Sequence, residues 1–323
     1  VPSPTPGIDA LYLIIRRTLN CEGLRIVEVL NQPHTEPFDP ITACYYDCAT
    51  TYDGAVDETL QPGDEAITQG ATDVSFVAGG NVFVSGDVGR LIVHRWFDSD
   101  EERWMTARAR ITEYVGVDSV NCTILSPFPV GTVRVTDGGE PPECVLPTTP
   151  LEIEAGDWRL TTTEVTGLDY LIGETVGITI DGAPESQQVV SESGTVTLGR
   201  AGAVVHVGLP FRGVVQLMNL DAGAQDGTAQ ARVKKISNVA FRLFETWGGK
   251  AGNSVTTTLP LPFRQTSMDL PPDLFSGDIK LNWPHGYETQ GRITFVHDQG
   301  TPCTLLAVYP EVETHGKQMG PYL

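Results

Sequence analysis

The sequence lacks the short motifs that mark the common enzyme classes. It contains no Gly-x-x-x-x-Gly-Lys-Ser/Thr phosphate loop, no Gly-x-Ser-x-Gly nucleophile turn and no His-Glu-x-x-His metal motif. Its six histidines are scattered, and none has a ligand or base at a telling spacing. We therefore predict no catalytic, cofactor-binding or metal-binding residues, and a protein that is not an enzyme.

Long apolar runs are also absent. No stretch of about 18 apolar residues occurs, so no membrane-spanning helix is predicted. The first residues, Val1 to Gly7, lack the basic region and apolar core of a signal peptide and are typical of a Pro-rich linker. Since residue 1 is Val rather than Met, we expect an upstream region to precede it.

Positive charge is scarce, with 21 Lys+Arg against 41 Asp+Glu and a net charge of −20. Because such a chain repels phosphate, it does not wrap nucleic acid tightly. Two interpretations stay open at this point. The acidic balance serves solubility, or it provides a surface along which DNA slides without sticking.

The six cysteines do not form a zinc motif. Cys44 and Cys48 lie four residues apart, and no second Cys/His pair at zinc spacing accompanies them. If this segment is a strand, both side chains lie on one face. We predict structural thiols in a protein assembled in a reducing cytoplasm.

What the sequence has in abundance is turn and strand formers. There are 34 Gly and 23 Pro, together with many Val and Thr. Gly and Pro favour turns, and β-branched residues favour strands, so we predict an all-β fold: a sandwich, a barrel or a propeller.

The predicted strands fall into a host domain that an inserted module interrupts. Leu11 to Thr18 and Leu24 to Leu30 flank a polar turn and predict a hairpin. We place the host domain at residues 1–60 and 151–310, a small inserted β-barrel or sandwich at 61–150, and an exposed C-terminal tail at 311–323. The module's predicted strands are Ala71 to Val77, Val82 to Val84, Val88 to Trp96, Met105 to Tyr114 and Ser119 to Leu125. In the host domain we predict a strand at Cys44 to Thr51 and the longest one at Val233 to Thr246.

Lys234 and Lys235 are conspicuous in this acidic chain. They follow a small, polar loop at residues 220–230. One interpretation is the solvated start of a strand, and the other is a basic spot that contacts DNA or a neighbouring subunit.

Several segments occur in a characteristic order. They are Trp158 to Gly182, Val205 to Phe211, Asp221 to Leu243, Gly277 to Ile279, Gly291 to Ile293 and Leu305 to Glu311. This order resembles the tail nozzle (tail tubular) proteins of short-tailed bacteriophages. Upstream, Leu11 to Leu30 resembles a strand pair of that family, and Asp87 to Arg90 resembles part of a small β-module often spliced there. The resemblance covers nearly the whole chain, and its specificity lies in order and spacing. Family members carry a further N-terminal half that is not seen here.

The resemblance implies a homo-hexameric ring in the virion tail, assembled in the cytoplasm of the host bacterium. The ring hangs below the portal and the head-to-tail adaptor protein, extends the DNA channel and retains the genome until ejection. Tail fibres or spikes dock outside, and double-stranded genomic DNA passes through transiently. The host domain would be part of a nozzle that can contain a propeller. An acidic channel wall would weaken adhesion of the DNA.

Two other classes stay open. A carbohydrate-binding or depolymerising tail spike or adhesin would use some of the five Trp and nine Tyr to stack on sugars, but no fixed repeat period is present. An extracellular β-sandwich enzyme is disfavoured by the missing signal peptide and catalytic cluster. Oligomeric state separates the three, since a nozzle forms a closed ring, spikes tend to be trimers and secreted enzymes are often monomers.

Overall fold

A computed structural model describes residues 11–19, 22–30, 39–130, 150–220, 233–263, 272–284 and 286–315. Within these ranges the chain is all-β, as predicted, and its helices are short 3-10 turns. In this part of the chain no helix is long and apolar enough to cross a membrane. The 3-10 helices are Pro40–Thr42, Asp64–Ile67, Ser85–Asp87 and Asp169–Leu171.

The strands are numbered in chain order. The first twelve are β1 Leu11–Leu19, β2 Glu22–Leu30, β3 Asp47–Asp53, β4 Leu60–Pro62, β5 Val74–Ala78, β6 Leu91–Asp98, β7 Arg103–Gly116, β8 Ser119–Ser126, β9 Trp158–Leu160, β10 Thr162–Val165, β11 Thr175–Ile180 and β12 Ala183–Pro184. The others are β13 Gln188–Val189, β14 Val196–Gly202, β15 Val204–Leu209, β16 Gly213–Gln216, β17 Val233–Thr246, β18 Lys250–Ser254, β19 Thr257–Pro260, β20 Phe275–Asn282, β21 Tyr287–Glu288, β22 Thr294–His297 and β23 Thr304–His315.

The chain divides into two compact units. The first comprises Val1–Asp39, Thr50–Glu174 and Val189–His206, and the second comprises Pro40–Ala49, Thr175–Gln188 and Val207–Leu323. The described residues of the range 61–150, which we predicted to be an inserted module, lie in the first unit together with the flanking residues 50–60 and 151–174.

The first unit is built around a six-stranded antiparallel sheet of order β4-β5-β8-β7-β6-β9. Alternate residues of its strands point inward, as in β5, where Val74, Phe76 and Ala78 are buried. One isolated bridge joins β9 at Arg159 to Ala55, which precedes β4, and another joins β4 at Leu60 to Ile153, which precedes β9. The sheet therefore curls into a partly closed barrel.

Trp158 is the largest fully buried side chain in the core of this unit. Its side chain is fully buried, and its indole N–H donates a hydrogen bond to the Glu58 carbonyl oxygen at 2.6 Å. Phe83 packs beside it, with ring centroids 6.0 Å apart. A buried indole N–H needs an acceptor, and Glu58 supplies it. The bond therefore holds β9 against the segment that precedes β4.

The second unit contains a β-sandwich. In one sheet, β17 pairs with β20 and β21 along one edge and with β23 along the other. The facing sheet has the order β16-β22-β18-β19. Apolar side chains of the two sheets form one core, in which the rings of Phe241 and Phe295 lie 5.9 Å apart.

The remaining strands form smaller sheets. A five-stranded sheet has the order β12-β11-β15-β3, with β13 paired to β11, and β10 pairs with β14. The hairpin β1–β2 is a separate two-stranded sheet whose residues pair in continuous antiparallel register from Leu11–Leu30 to Leu19–Glu22. The predicted hairpin is confirmed.

The structure differs from the predicted strands in several places. Val82 to Val84 form a loop and no strand, and this loop leads into the 3-10 helix Ser85–Asp87. Phe83 in the loop is buried. The strand predicted from Cys44 begins only at Asp47, so Cys44 lies outside it, and Cys48 has a φ of 49°. The two cysteines therefore do not share one face of a strand. Strand β23 extends to His315, so residues 311–315 belong to a strand, whereas 316–323 lie outside the described residues.

Candidate functional site

Lys234 has a buried side chain, although the sequence pattern favoured a surface position. It is 1% exposed, and its ammonium donates a hydrogen bond to the Thr289 carbonyl oxygen at 2.9 Å. Its partner in the antiparallel register is Glu288 on β21. An amine placed in this way satisfies a backbone acceptor inside the second unit and is not presented to an outside phosphate.

Lys235 lies on the opposite face of the same strand and is partly exposed. Its ammonium is 5.7 Å from the ring centroid of Tyr287, its register partner, which is exposed. This distance allows a cation–π interaction. The hypothesis of a DNA or subunit contact stays a prediction, and any such contact would be made through Lys235. The small polar loop before it lies mostly outside the described residues.

The outer face of the β20–β17–β23 sheet carries a ladder of paired charges. Arg242 binds Asp278 through two hydrogen bonds of 2.8 and 2.9 Å, and its guanidinium lies over the Tyr309 ring at 5.3 Å. Lys280 pairs with Glu311 at 2.8 Å. The hydrogen bond from Arg242 lowers the pKa of Asp278, and that from Lys280 lowers the pKa of Glu311. Arg242 and Lys280 on this face are therefore paired with carboxylates of the same sheet.

Three described histidines are buried, and each forms a hydrogen bond with a different partner. His94 bonds to the Asp157 carbonyl oxygen at 2.8 Å, His206 to the Thr51 hydroxyl at 2.8 Å, and His297 to the Thr301 hydroxyl at 3.2 Å. Burial lowers the pKa of His94 and of His297. Each of these histidines thus has a local structural partner.

The cysteines within the described ranges are free thiols. They are Cys44, Cys48, Cys122 and Cys303. Burial raises the pKa of Cys122 to about 12 and that of Cys303 to about 11. Such thiols stay protonated near neutral pH and are weak nucleophiles. Among the described residues, no three His, Cys, Asp or Glu side chains lie together where they could hold a metal ion.

An open pocket of about 350 Å³ lies within the second unit. Tyr46 lines it, and the Tyr46 hydroxyl shares a 2.7 Å hydrogen bond with Thr179. The Lys250–Asp298 ion pair, 2.8 Å long, lies at its wall. The other lining residues are Gly177, Pro184, Glu185, Ser186, Gln187, Pro210, Gln299 and Gly300. The pocket is polar, and two of its charged groups, Lys250 and Asp298, pair with each other.

The Asp87–Arg90 motif of the sequence forms a structural tie in the first unit. The Asp87 carboxylate accepts a 2.8 Å hydrogen bond from the Val84 N–H and a 2.6 Å one from Arg90. Arg90 also donates to the Thr161 carbonyl oxygen at 2.5 Å and to the Tyr52 hydroxyl at 3.0 Å. One guanidinium thus connects three chain segments, which explains this residue pattern without invoking chemistry.

Sequence reasoning missed the exposed apolar surface of the β1–β2 hairpin. Tyr12, Ile14, Val27 and Val29 all lie on one face and are at least half exposed. The sequence did carry a signal, because Leu11 to Ile15 is apolar at every position, which is unusual for a strand with a solvated face. This hairpin and the edge strand β16, whose four residues are all exposed, are apolar surfaces suited to a partner.

No family model matches this chain, and a comparison with curated proteins found no match.

Proposed function

We propose that this chain is a structural subunit of the tail nozzle of a short-tailed bacteriophage. It is not an enzyme. The subunits form a six-membered ring in the virion tail, assembled in the host bacterial cytoplasm, and the ring extends the DNA channel below the portal and adaptor. It retains the genome and passes it to the host during ejection.

The observation that carries this proposal is the order of motifs from Trp158 to Glu311. In the structure these residues pack and pair. Trp158 is buried in the core of the first unit, Lys234 is buried in the second, and Arg242 and Glu311 belong to the charge ladder on its sheet. The motif residues thus have structural roles in both units. This distribution supports the proposal of an assembly subunit, because an enzyme would be expected to gather its motif residues around one reactive site.

The charge of the chain supports the passage of DNA. With a net charge of −20, copies arranged around a channel would repel the phosphate backbone at short range. Counterions would screen this repulsion beyond about 8–10 Å at physiological salt. A wall of this kind lowers the adhesion that would otherwise stall the DNA during ejection.

The exposed apolar β-surfaces support assembly with partners. The hairpin face and the edge strand β16 are surfaces that a lone subunit would leave in water. A closed ring requires heterologous contacts, in which different patches of each copy meet. The adaptor above and the fibres or spikes outside would take further surfaces.

Electron microscopy of the purified protein and of the virus particle tests this function. A tube of six-fold symmetry with an axial channel is the expected result. A trimer, or a monomer that does not associate with the particle, would contradict it. The carbohydrate-binding alternative would then be tested first, with sugar titrations directed at the pocket beside Tyr46.

A further inference from the structure

The β1–β2 hairpin is a two-stranded sheet with open edges. In the described part of the chain, no other strand pairs with β1 or β2. Two-stranded sheets are marginally stable in water unless a further strand or surface covers one face. The length of the hairpin, nine residues in each strand, therefore calls for a partner surface.

One face of the hairpin is almost entirely apolar near its open end. Because side chains alternate along a strand, Tyr12 and Ile14 share this face with their register partners Val29 and Val27. Their exposures are 51%, 77%, 55% and 66%, respectively. On the other face Leu11 and Leu13 are 53% and 38% exposed, whereas Ile15 and Ile26 are only partly exposed. The four exposed residues form what we call the arm face.

The arm face continues into a pair of like charges. Arg16 and Arg25 are direct register partners, and both are exposed. Within the described residues neither has a carboxylate at ion-pair distance, whereas Arg17 on the other face pairs with Glu28 at 2.8 Å. Like charges directly opposite each other destabilise a hairpin, and an anionic surface against them removes that cost.

We propose that the β1–β2 hairpin is a docking arm that binds an acidic surface on a second copy of this chain. Charge complementarity identifies the occupant. Residues 11–30 hold three Arg and two Glu, while the rest of the chain holds 18 Lys+Arg and 39 Asp+Glu. Two copies with a net charge of −20 repel each other, and Arg16 and Arg25 set against an acidic surface offset part of that repulsion.

Residues Tyr12, Ile14, Val27 and Val29 supply the apolar part of the contact. Arg16 and Arg25 set its orientation and its dependence on salt. This inference rests on the proposed function only in requiring that copies of the chain associate. It adds the location of one side of the subunit contact, which is heterologous because an arm meets a different surface.

Sedimentation velocity over a concentration series tests the arm with a matched pair of variants. Val27→Glu places a charge on the arm face, whereas Val189→Glu makes the same change at a residue of similar exposure, 63%, on β13. We expect Val27→Glu to weaken self-association by about tenfold or more. Val189→Glu is expected to leave association unchanged. Equal association of Val27→Glu and the wild type would overturn the proposal.

A second pair of variants tests the charge without touching the apolar residues. Arg16→Glu/Arg25→Glu reverses the arm charges, and Arg103→Glu/Arg110→Glu makes the same net change at two exposed arginines of β7. The arm variant is expected to dissociate, and raising NaCl to 0.5 M is expected to weaken the wild-type assembly. Dissociation of both double variants to the same extent would overturn the role of the arm, because the loss would then follow net charge alone.

Symmetry and arm dependence separate the failure of this inference from that of the proposed function. A six-fold ring that survives Val27→Glu contradicts the arm and leaves the nozzle proposal standing. An arm-dependent assembly of another symmetry contradicts the nozzle and supports the arm. A wild-type chain that stays monomeric at all concentrations overturns the arm, and its arm face would then be covered by another segment of the protein or by a different partner.

Discussion

Arg95 and Asp39 form a buried ion pair across 56 residues of sequence. The Arg95 Nε lies 3.0 Å from each oxygen of the Asp39 carboxylate, and the two side chains are 6% and 13% exposed, respectively. The guanidinium also donates to the Thr106 hydroxyl at 3.0 Å and lies 5.2 Å from the Trp104 ring centroid. This pair connects β6 of the barrel to the segment that precedes the 3-10 helix at Pro40.

Removing the acid of this pair is expected to destabilise the protein strongly. Asp39→Asn leaves the Arg95 charge buried without its counter-ion, and we expect a loss of about 3–5 kcal/mol in the free energy of unfolding. Urea denaturation followed by circular dichroism measures it. The control is Glu101→Gln, which breaks the exposed pair with Arg103 and is expected to cost less than about 1 kcal/mol. Similar losses for both variants would show that the Asp39 pair is not desolvated.

The two adjacent lysines are expected to respond differently to the same change. Lys234→Met removes the donor to the Thr289 carbonyl oxygen and is expected to cost about 1–3 kcal/mol of stability. Lys235→Met changes a partly exposed side chain and is expected to cost about 0.5 kcal/mol or less. Thermal denaturation of the two variants gives the comparison. An equal, small effect of both would contradict the burial of Lys234.

Lys235→Met is also the cleaner test of a basic contact. If Lys235 touches DNA or a neighbouring subunit, this variant keeps its stability and loses assembly or ejection efficiency. Lys235→Arg keeps the charge and serves as the matched control. Normal assembly and ejection with Lys235→Met would contradict a contact of Lys235 with DNA or a neighbouring subunit.

Stability is expected to fall in mild acid because of His94. Burial lowers the pKa of His94 below its ordinary value of 6.5. At pH values between the folded and the unfolded pKa, the unfolded chain binds more protons than the folded one. The stabilising effect of neutral His94 is therefore complete above pH 6.5 and declines as the pH drops. One such group contributes a slope of at most about 1.4 kcal/mol per pH unit.

His94→Gln is the variant that checks this dependence. Melting temperatures at closely spaced pH values from 5 to 8 are expected to fall less steeply below pH 6.5 in the variant than in the wild type. Between pH 7 and 8 the two slopes are expected to agree, which is the internal control. Parallel curves throughout would mean that protonation of His94 does not limit stability in acid.

Local patterns predicted the strands whose partners lie near in sequence or whose apolar residues recur regularly. Strand β17 matches the predicted range Val233 to Thr246, because its β-branched and aromatic residues favour a strand over a helix. The β1–β2 hairpin is similarly local. By contrast, β9 pairs with β6 some 60 residues away, and no local signal places it in the barrel sheet. Pairing over such distances depends on the core that the strands share.

The environment of single side chains was harder to predict. A lysine at a strand start is typical of a solvated position, yet Lys234 is buried, and the Thr289 carbonyl oxygen accepts a hydrogen bond from its ammonium. The exposed arm face is the opposite case. Its residues predicted a hairpin, and only the three-dimensional arrangement shows that its apolar side chains are exposed.

Tyr46 and Gly300 provide a test of packing at the pocket of the second unit. A Cβ added at Gly300 would collide with the Tyr46 ring, and one added at Gly177 would collide with the same ring. The ring is held in place by its hydroxyl, which bonds to Thr179, and Thr179 in turn donates to the Gly300 carbonyl oxygen at 3.2 Å. Glycine is therefore required at position 300 as long as Tyr46 keeps its place.

Gly300→Ala is expected to cost about 1–3 kcal/mol through overpacking, measured by urea denaturation. Gly286→Ala is the control, since a Cβ there meets no atom within 4 Å, and we expect it to change stability by about 0.5 kcal/mol or less. Tyr46→Ala alone removes a partly buried ring and is expected to cost less than the about 3–5 kcal/mol typical of a fully buried aromatic ring. In the double variant Tyr46→Ala/Gly300→Ala the collision no longer exists, so its loss is expected to be smaller than the sum of the two single losses. Additive losses would instead show that Gly300 is constrained by its backbone and that the ring of Tyr46 plays no part.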